Sequence, residues 1–232
     1  ASLKHPESSR FFNWGKPFVQ IETSRGCFNS CKFCVSGNDC QKIANVPLDT
    51  LRARLNIVRN KGIKEVRILD RTFNANPARA IELLNLFEEF CHSIQFHLEI
   101  HPSFLTEAIR DKLNAISAGL LHVEAGIQSL DETVIKFSGR KGSSKNSLDG
   151  LKFLVSTKKF VVHADLIAGL PHYSYNQLLH DLYILIGTGP DEIQLETLKV
   201  LPGTDLRENA MKYKIASSPE PPYEILSGDG IN

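Results

Sequence analysis

Alternating apolar and polar residues mark six stretches of the chain as β-strands, and apolar residues at spacings of three and four mark the stretches between them as helices. The strands are predicted at 18–23, 65–69, 96–100, 121–127, 160–168 and 193–200. The helices are predicted at 48–58, 77–90, 104–117, 131–137, 147–158 and 175–186. Strands that alternate with helices are typical of βαβ units and a parallel sheet.

The number of units sets the fold class. Six βα units are too few for a closed barrel of eight strands. The sequence therefore predicts an α/β fold, a partial (β/α)6 TIM-like barrel with a parallel sheet. We expect residues 18–205 to form this core, 1–17 to form an N-terminal linker or arm, and 206–232 to be a C-terminal extension that looks truncated.

One face of all six predicted strands is polar, whereas the other is apolar. The polar positions are Gln20, Glu22, Arg67, His97, Glu99, His122, Glu124, His163, Asp165, Gln194 and Glu196. A parallel sheet covered by helices is normally apolar on both faces, and each buried unpaired polar group costs about 1–3 kcal/mol. We therefore expect a concave, wet interior that binds a polar ligand; the alternative is a sheet face exposed to solvent. The histidines are tempting as ligands or proton carriers, but hydrogen-bonded wall residues are the commoner case.

Three of the five cysteines fall in one short stretch, as Cys27, Cys31 and Cys34 in the pattern CxxxCxxC. A structural zinc site takes four protein ligands, and no fourth is obvious here. Three cysteines on a tight loop suit a cubane iron–sulfur cluster with one iron open to another ligand. A zinc knuckle and a redox-exposed thiol loop remain alternatives. Cys40 could approach such a cluster, and Cys91 is expected in the core.

This stretch resembles the radical S-adenosylmethionine (SAM) superfamily, whose motif is CxxxCxxC with an aromatic residue, here Phe33, before the last cysteine. The resemblance implies a [4Fe-4S] cluster on the three cysteines and SAM chelated to the fourth iron. It also implies reductive cleavage of SAM to a 5′-deoxyadenosyl radical, with electrons from a reductant such as flavodoxin or ferredoxin.

Further stretches resemble the branch of the superfamily that contains oxygen-independent coproporphyrinogen oxidases and radical SAM proteins with a cobalamin-binding domain. The resemblance implies SAM contacts from Phe33 and from residues at or after the ends of the strands: Asp70, Arg71, Thr72, Glu99, Gln128, Arg140, Asp165 and Ile167. Asp70-Arg71-Thr72 departs from the Gly-Gly-Glu-like segment of the family. Arg140 would pair with the SAM carboxylate and Asp165 with the ribose hydroxyls, as guanidinium and carboxylate chemistry allows. Cobalamin bound by a domain outside this chain is a further expectation.

The amino-acid composition and charge indicate the kind of protein and its cellular surroundings. A hydrophobic content of 42% and a charged content of 23% are ordinary for a globular protein. The net charge of +1 does not indicate nucleic acid binding. With no membrane-length apolar run and no signal peptide pattern, we expect a cytoplasmic protein and no membrane partner.

The sequence does not name the substrate. A radical SAM enzyme, with cobalamin-dependent methyl transfer as one possible reaction, is the leading hypothesis. Two alternatives stay open: a non-catalytic iron–sulfur or SAM binding module, and RNA modification of the tRNA methylthiotransferase kind, for which no basic patch is seen.

Overall fold

The computed structural model describes residues 5–37 and 43–228, and Cys40 lies outside them. Within these residues one six-stranded sheet forms, in which every neighbouring pair of strands is parallel and spatial order follows chain order. Its strands are β1 (Phe18–Ile21), β2 (Glu65–Ile68), β3 (Gln95–Ile100), β4 (Leu121–Gln128), β5 (Val161–Ala168) and β6 (Glu192–Thr197). Because β1 and β6 are the two edges, the barrel is open, and the predicted partial barrel is confirmed.

Helices connect the successive strands. They are α1 (Leu48–Asn60), α2 (Pro77–Glu88), α3 (Glu107–Ala115), α4 (Glu132–Phe137), α5 (Ser144–Thr157) and α6 (Tyr175–Thr188), followed by the short α7 (Asp205–Glu208). Short 3₁₀ turns lie at Pro6–Ser8, Val35–Gly37, Phe73–Ala75 and Pro102–Phe104.

The three largest differences between predicted and observed boundaries are of three residues each, and each has a local reason. The third helix starts at Glu107 because the Thr106 side chain caps it, and a 3₁₀ turn fills the residues before it. The fifth helix starts three residues earlier than predicted, at Ser144, because the Ser143 hydroxyl accepts from a backbone N–H of its first turn. The last strand ends at Thr197, and the residues beyond it pair with the C-terminal segment instead.

The apolar face of the sheet packs against the helices and forms the main core. Val66, Phe96, Leu98, Val123 and Val162 alternate with polar neighbours and are almost fully buried. The period of two in the sequence therefore places one set of side chains under the helices and the other on the concave side.

The ends of the described chain pack onto this body. In the N-terminal arm the carboxylate of Glu7 forms a buried ion pair with Arg54 of α1. After β6, Leu206 of α7 and Ile215 join Val134 and Leu170 in a second hydrophobic cluster. No helix in the described part of the chain is long and apolar enough to cross a membrane.

Candidate active site

The loop that carries the cysteines is anchored where it leaves β1. The Asp70 carboxylate, at the end of β2, accepts hydrogen bonds from the backbone N–H of Thr23 (2.7 Å) and of Ser24 (2.9 Å). It also accepts from their hydroxyls, at 2.5 Å and 2.6 Å. Four donors to one buried carboxylate fix the start of the loop over the carboxyl ends of the strands.

The segment after α4 holds the middle of the loop from the other side. The backbone N–H of Lys32 donates to the Ser138 carbonyl at 2.9 Å. The Lys141 N–H donates to Asn29 Oδ1 at 3.1 Å. Gly139 has φ +70°, and a Cβ there would lie 2.6 Å from the Ser30 carbonyl oxygen. Only glycine permits this close approach.

The C-terminal segment supplies a third contact. The Leu206 N–H of α7 donates to the Lys32 carbonyl at 3.0 Å. The Lys32 ammonium lies 4.1 Å from the centre of the Phe137 ring and 4.8 Å from that of Tyr213. The cysteine loop is therefore held between two parts of the chain that are remote in sequence.

Cys27, Cys31 and Cys34 line one cavity of about 140 Å³. Cys27 and Cys31 are buried, and Cys34 is half-buried. Burial raises the pKa of the Cys31 thiol to about 11, against the lowering effect of the Arg140 charge beside it. No three histidine, cysteine or acidic side chains in the described residues already stand in a metal-binding arrangement. Metal binding displaces thiol protons and draws the ligands together, so this arrangement does not argue against a metal centre. Three thiols that line one cavity fit an iron–sulfur cluster better than a zinc site, which takes four protein ligands.

Arg140 and Gln128 meet at the end of β4. Arg140 Nη2 donates to the Gly126 carbonyl at 2.7 Å. Gln128 follows a register shift against β5 and takes the left-handed φ of +68°, which is uncommon for a side chain of this kind. Both side chains line the cysteine cavity, as do Arg71, Thr72 and Glu99.

Carboxylates form the floor of the site. A second cavity, of about 80 Å³, shares Arg71, Thr72, Glu99, Gln128 and Arg140 with the cysteine cavity and adds Glu124 and Asp165. Burial, followed by the charge of Glu124, raises the pKa of Glu99 to about 7. The same two causes raise the pKa of Asp165 to about 8. The floor therefore favours a cation or a hydrogen-bonding ligand that relieves the carboxyl groups.

Ten of the twelve residues predicted for the site line these two cavities. They are Cys27, Cys31, Phe33, Cys34, Arg71, Thr72, Glu99, Gln128, Arg140 and Asp165. Asp70 and Ile167 do not. The Asp70 carboxylate is occupied by the loop anchor. Ile167 packs against the second hydrophobic cluster. The predicted roles of all twelve residues in binding the cluster and SAM stay predictions.

The structure adds site residues that were not among the predicted SAM or cluster contacts. Asn29 and Ser36 line the cysteine cavity, and Glu124 and His101 line the floor cavity. His101 is 2% exposed, and burial lowers its pKa to about 3. Glu124 belongs to the predicted polar face, so its period-two position was the available signal. No pattern in the sequence pointed to Asn29, because its role depends on a contact with Lys141.

The comparison with known families gives residues 21–182 as a match to the radical SAM superfamily model. This match covers more than half of the chain. The chain belongs to the radical SAM superfamily. Radical SAM proteins bind a [4Fe-4S] cluster and SAM, so both cofactors follow from membership.

Similar proteins fall in the branches that the motifs indicate. An uncharacterized methyltransferase of Pyrococcus horikoshii is 28% identical over 202 residues, which cover 85% of this chain and 43% of that protein. Oxygen-independent coproporphyrinogen III oxidase of Paracoccus denitrificans is 28% identical over 101 residues, 44% of this chain and 22% of that one.

A solved structure confirms the fold. The radical SAM methyltransferase TsrM of Kitasatospora setae, solved with cobalamin and a [4Fe-4S] cluster bound, superposes with a TM-score of 0.74 at 15% identity, over 89% of this chain and 43% of that chain. This chain thus spans less than half the length of each of these proteins.

Proposed function

We propose that this chain is the core of a radical SAM enzyme that acts on a substrate held over the open side of the barrel, with methyl transfer as its reaction. The observation that carries the proposal is one cavity wall on which the three cysteines stand beside Glu99, Gln128 and Arg140. The methyltransferases among the similar proteins support the choice of reaction.

In this proposal Cys27, Cys31 and Cys34 hold the [4Fe-4S] cluster. When bound, the cluster would supply the electron, drawn from a flavodoxin or ferredoxin, for cleavage of SAM to methionine and a 5′-deoxyadenosyl radical. Burial of Cys27 and Cys31 limits the access of water and oxygen to two of the three thiolates. The Asp70 anchor keeps the loop in place.

The wall residues match the chemistry of SAM group by group. Arg140, already oriented by its bond to the Gly126 carbonyl, offers its guanidinium to the carboxylate. Glu99 offers a carboxylate to the amino group, and Gln128 contributes a polar contact. Asp165 Oδ1 is buried without a hydrogen-bond partner among the described residues, which suits an acceptor for ribose hydroxyls. Arg71 and Thr72 border the same space.

In this proposal the methyl group is delivered by a carrier that is separate from the cluster. We assign this part to cobalamin bound by a domain outside the chain. This assignment is supported by the likeness to methyltransferases, one of which was solved with cobalamin bound.

The test is anaerobic reconstitution with iron and sulfide, followed by electron paramagnetic resonance of the dithionite-reduced protein with and without SAM. A cubane signal that changes on addition of SAM, together with release of 5′-deoxyadenosine, is the expected result. Cys31→Ser should lose the signal, whereas Cys91→Ser, in the half-buried cysteine after α2, should keep it.

Other outcomes would choose between the alternatives. A stable cluster that ignores SAM would indicate a non-catalytic binding module. Zinc in place of the cluster would overturn the proposal. Release of 5′-deoxyadenosine that depends on a tRNA or a ribosomal protein, without dependence on cobalamin, would favour a methylthiotransferase.

A further inference from the structure

A buried carboxylate on α6 holds the two residues that directly follow β4. Asp181 is fully buried, and its Oδ2 accepts a hydrogen bond from the backbone N–H of Leu130 at 2.7 Å. The same oxygen accepts from the hydroxyl of Ser129, also fully buried, at 3.1 Å. A side chain of α6 therefore fixes the backbone just beyond Gln128, one of the residues proposed to contact SAM.

Two further donors complete the surroundings of the Asp181 carboxylate. The Tyr173 hydroxyl donates to Oδ2 at 2.6 Å, and Gln177 Nε2 donates to Oδ1 at 3.1 Å. Tyr173 is buried, and burial, followed by the hydrogen bond with Asp181, raises the pKa of its phenol. The phenol therefore stays protonated and keeps its role as donor. Four donors satisfy the buried carboxylate and hold it in one orientation.

Ser129 extends this contact into the next helix. Its hydroxyl donates to Asp181 and accepts from the backbone N–H of Asp131 at 3.0 Å. The Asp131 carboxylate in turn accepts from the backbone N–H groups of Thr133 and Val134 and so caps the first turn of α4. The turn from β4 into α4 therefore depends on a hydroxyl that Asp181 orients.

Gln128 is the residue whose conformation this turn determines. It follows a register shift in β4 and has the left-handed φ of +68°. A residue with a long side chain keeps such a conformation only where its surroundings fix it. Because β4 ends at Gln128, strand pairing fixes the residue from one side only, and the contacts of Ser129 and Leu130 with Asp181 fix it from the other. In this conformation Gln128 lines both cavities of the site.

We propose that Asp181 is a positioning residue for the cofactor site, which holds Gln128 in the left-handed conformation through its bonds to Ser129 and Leu130. Tyr173 keeps the Asp181 carboxylate in place for this role. Asp181 does not line either cavity, so it acts on a ligand only through Gln128. The identity of that ligand as SAM rests on the proposed function, whereas the hold on Gln128 does not.

A simpler role for Asp181 would be to join α6 to the end of β4 without any effect on Gln128. The two roles differ in one measurable way. If Asp181 only joins the elements, weakening its contacts should affect SAM binding equally whether or not the Gln128 side chain is present. If Asp181 positions Gln128, the effect on SAM binding should disappear once the Gln128 amide has been removed.

The test measures SAM affinity in a double-mutant cycle on anaerobically reconstituted protein. Tyr173→Phe should weaken SAM binding about fivefold, within the range that one hydrogen bond contributes. In the Gln128→Ala background the same substitution should change the affinity by less than about twofold. The electron paramagnetic resonance signal of the reduced cluster without SAM should stay as in wild type. Tyr183→Phe, at an exposed tyrosine of α6, is the matched control and should bind SAM as wild type does. An unchanged affinity in Tyr173→Phe, or an equal loss in both backgrounds, would overturn the proposal.

A second measurement needs neither SAM nor the cluster. The ¹³Cα and ¹³Cβ chemical shifts of Gln128 differ between a left-handed and an extended backbone, and they are measured in metal-free protein, where no iron disturbs the spectrum. In Asp181→Asn they should move from left-handed toward extended values. Tyr173→Phe should move them in the same direction by a smaller amount, and it provides the readout if Asp181→Asn does not fold.

The two measurements separate this proposal from the proposed function. Gln128 shifts that stay at left-handed values in the folded variants would show that Asp181 does not hold this residue. If wild-type protein does not bind SAM but the Gln128 shifts move as stated, the proposed function fails and the hold of Asp181 on Gln128 stands.

Discussion

Asp70 and Thr23 are joined by two hydrogen bonds, from the backbone N–H at 2.7 Å and from the hydroxyl at 2.5 Å. With the equivalent pair from Ser24, they attach the cysteine loop to the end of β2. A glycine-rich segment at this position could not supply such an anchor through its side chains. In this chain the segment Asp70-Arg71-Thr72 therefore positions the loop as well as bordering the cavity.

We expect Asp70→Asn to lower the free energy of unfolding by about 2–3 kcal/mol, because the amide keeps one acceptor and turns a donor toward N–H and O–H groups. Iron bound per chain after reconstitution should also fall. Urea denaturation and iron analysis measure both effects. Asp49→Asn is the control, since the Asp49 side chain is 99% exposed. A stability equal to wild type would show that the four bonds do not hold the loop.

Much of this arrangement could be predicted from local sequence. The period-two pattern in residues such as Val66 and Arg67 indicated which face of each strand is buried, and the cysteine spacing indicated the loop. The clamps on the loop could not be predicted, because Asn29 and Lys141 are brought together by folding and no periodicity connects them. The hydrogen bonds from Asp70 to the start of the loop could not be predicted for the same reason, because the residue type of Asp70 does not reveal which donors surround it.

Gly126 leaves room for the two side chains that follow it in the site. A Cβ at this position would lie 2.9 Å from Gln128 Nε2 and 3.0 Å from Arg140 Nη2. Both atoms are ends of flexible side chains, so Gly126→Ala should fold but displace them. We expect SAM affinity to weaken about tenfold, equal to about 1.4 kcal/mol, in equilibrium binding to reconstituted protein. An unchanged affinity would mean that Gln128 and Arg140 do not need their present positions.

Gly150 in α5 allows the helix to contact the turn after β3. A Cβ there would lie 2.2 Å from the Pro102 carbonyl oxygen, and backbone atoms cannot move aside easily. We expect Gly150→Ala to destabilise the protein by more than about 3 kcal/mol. Gly187→Ala is the matched control in α6, where nothing lies within 4 Å. It should stabilise the protein by up to about 1 kcal/mol, and equal effects of the two substitutions in urea denaturation would contradict this packing.

The raised pKa of Asp165 gives the empty protein a stability that depends on pH. Because the pKa of Asp165 is raised to about 8, the folded state holds a proton that the unfolded state has already lost. Its contribution is therefore full below the pKa of an unfolded aspartate and is lost as the pH rises toward 8. His101 and His122 act oppositely, since their pKa values are lowered to about 3 and 4, and their contribution is lost as the pH falls below 6.5.

The range from pH 7.5 to 8.5 separates these effects, because both histidines are then largely neutral in the folded and unfolded states. Over this range the free energy of unfolding of the wild type should fall, and in Asp165→Asn the fall should be smaller, since the amide cannot lose a proton. Urea denaturation at pH 7.5, 8.0 and 8.5 measures the difference. Asp111→Asn, at an exposed carboxylate of α3, should keep the wild-type slope. Parallel curves for wild type and Asp165→Asn would show that Asp165 is already ionised in the empty cavity.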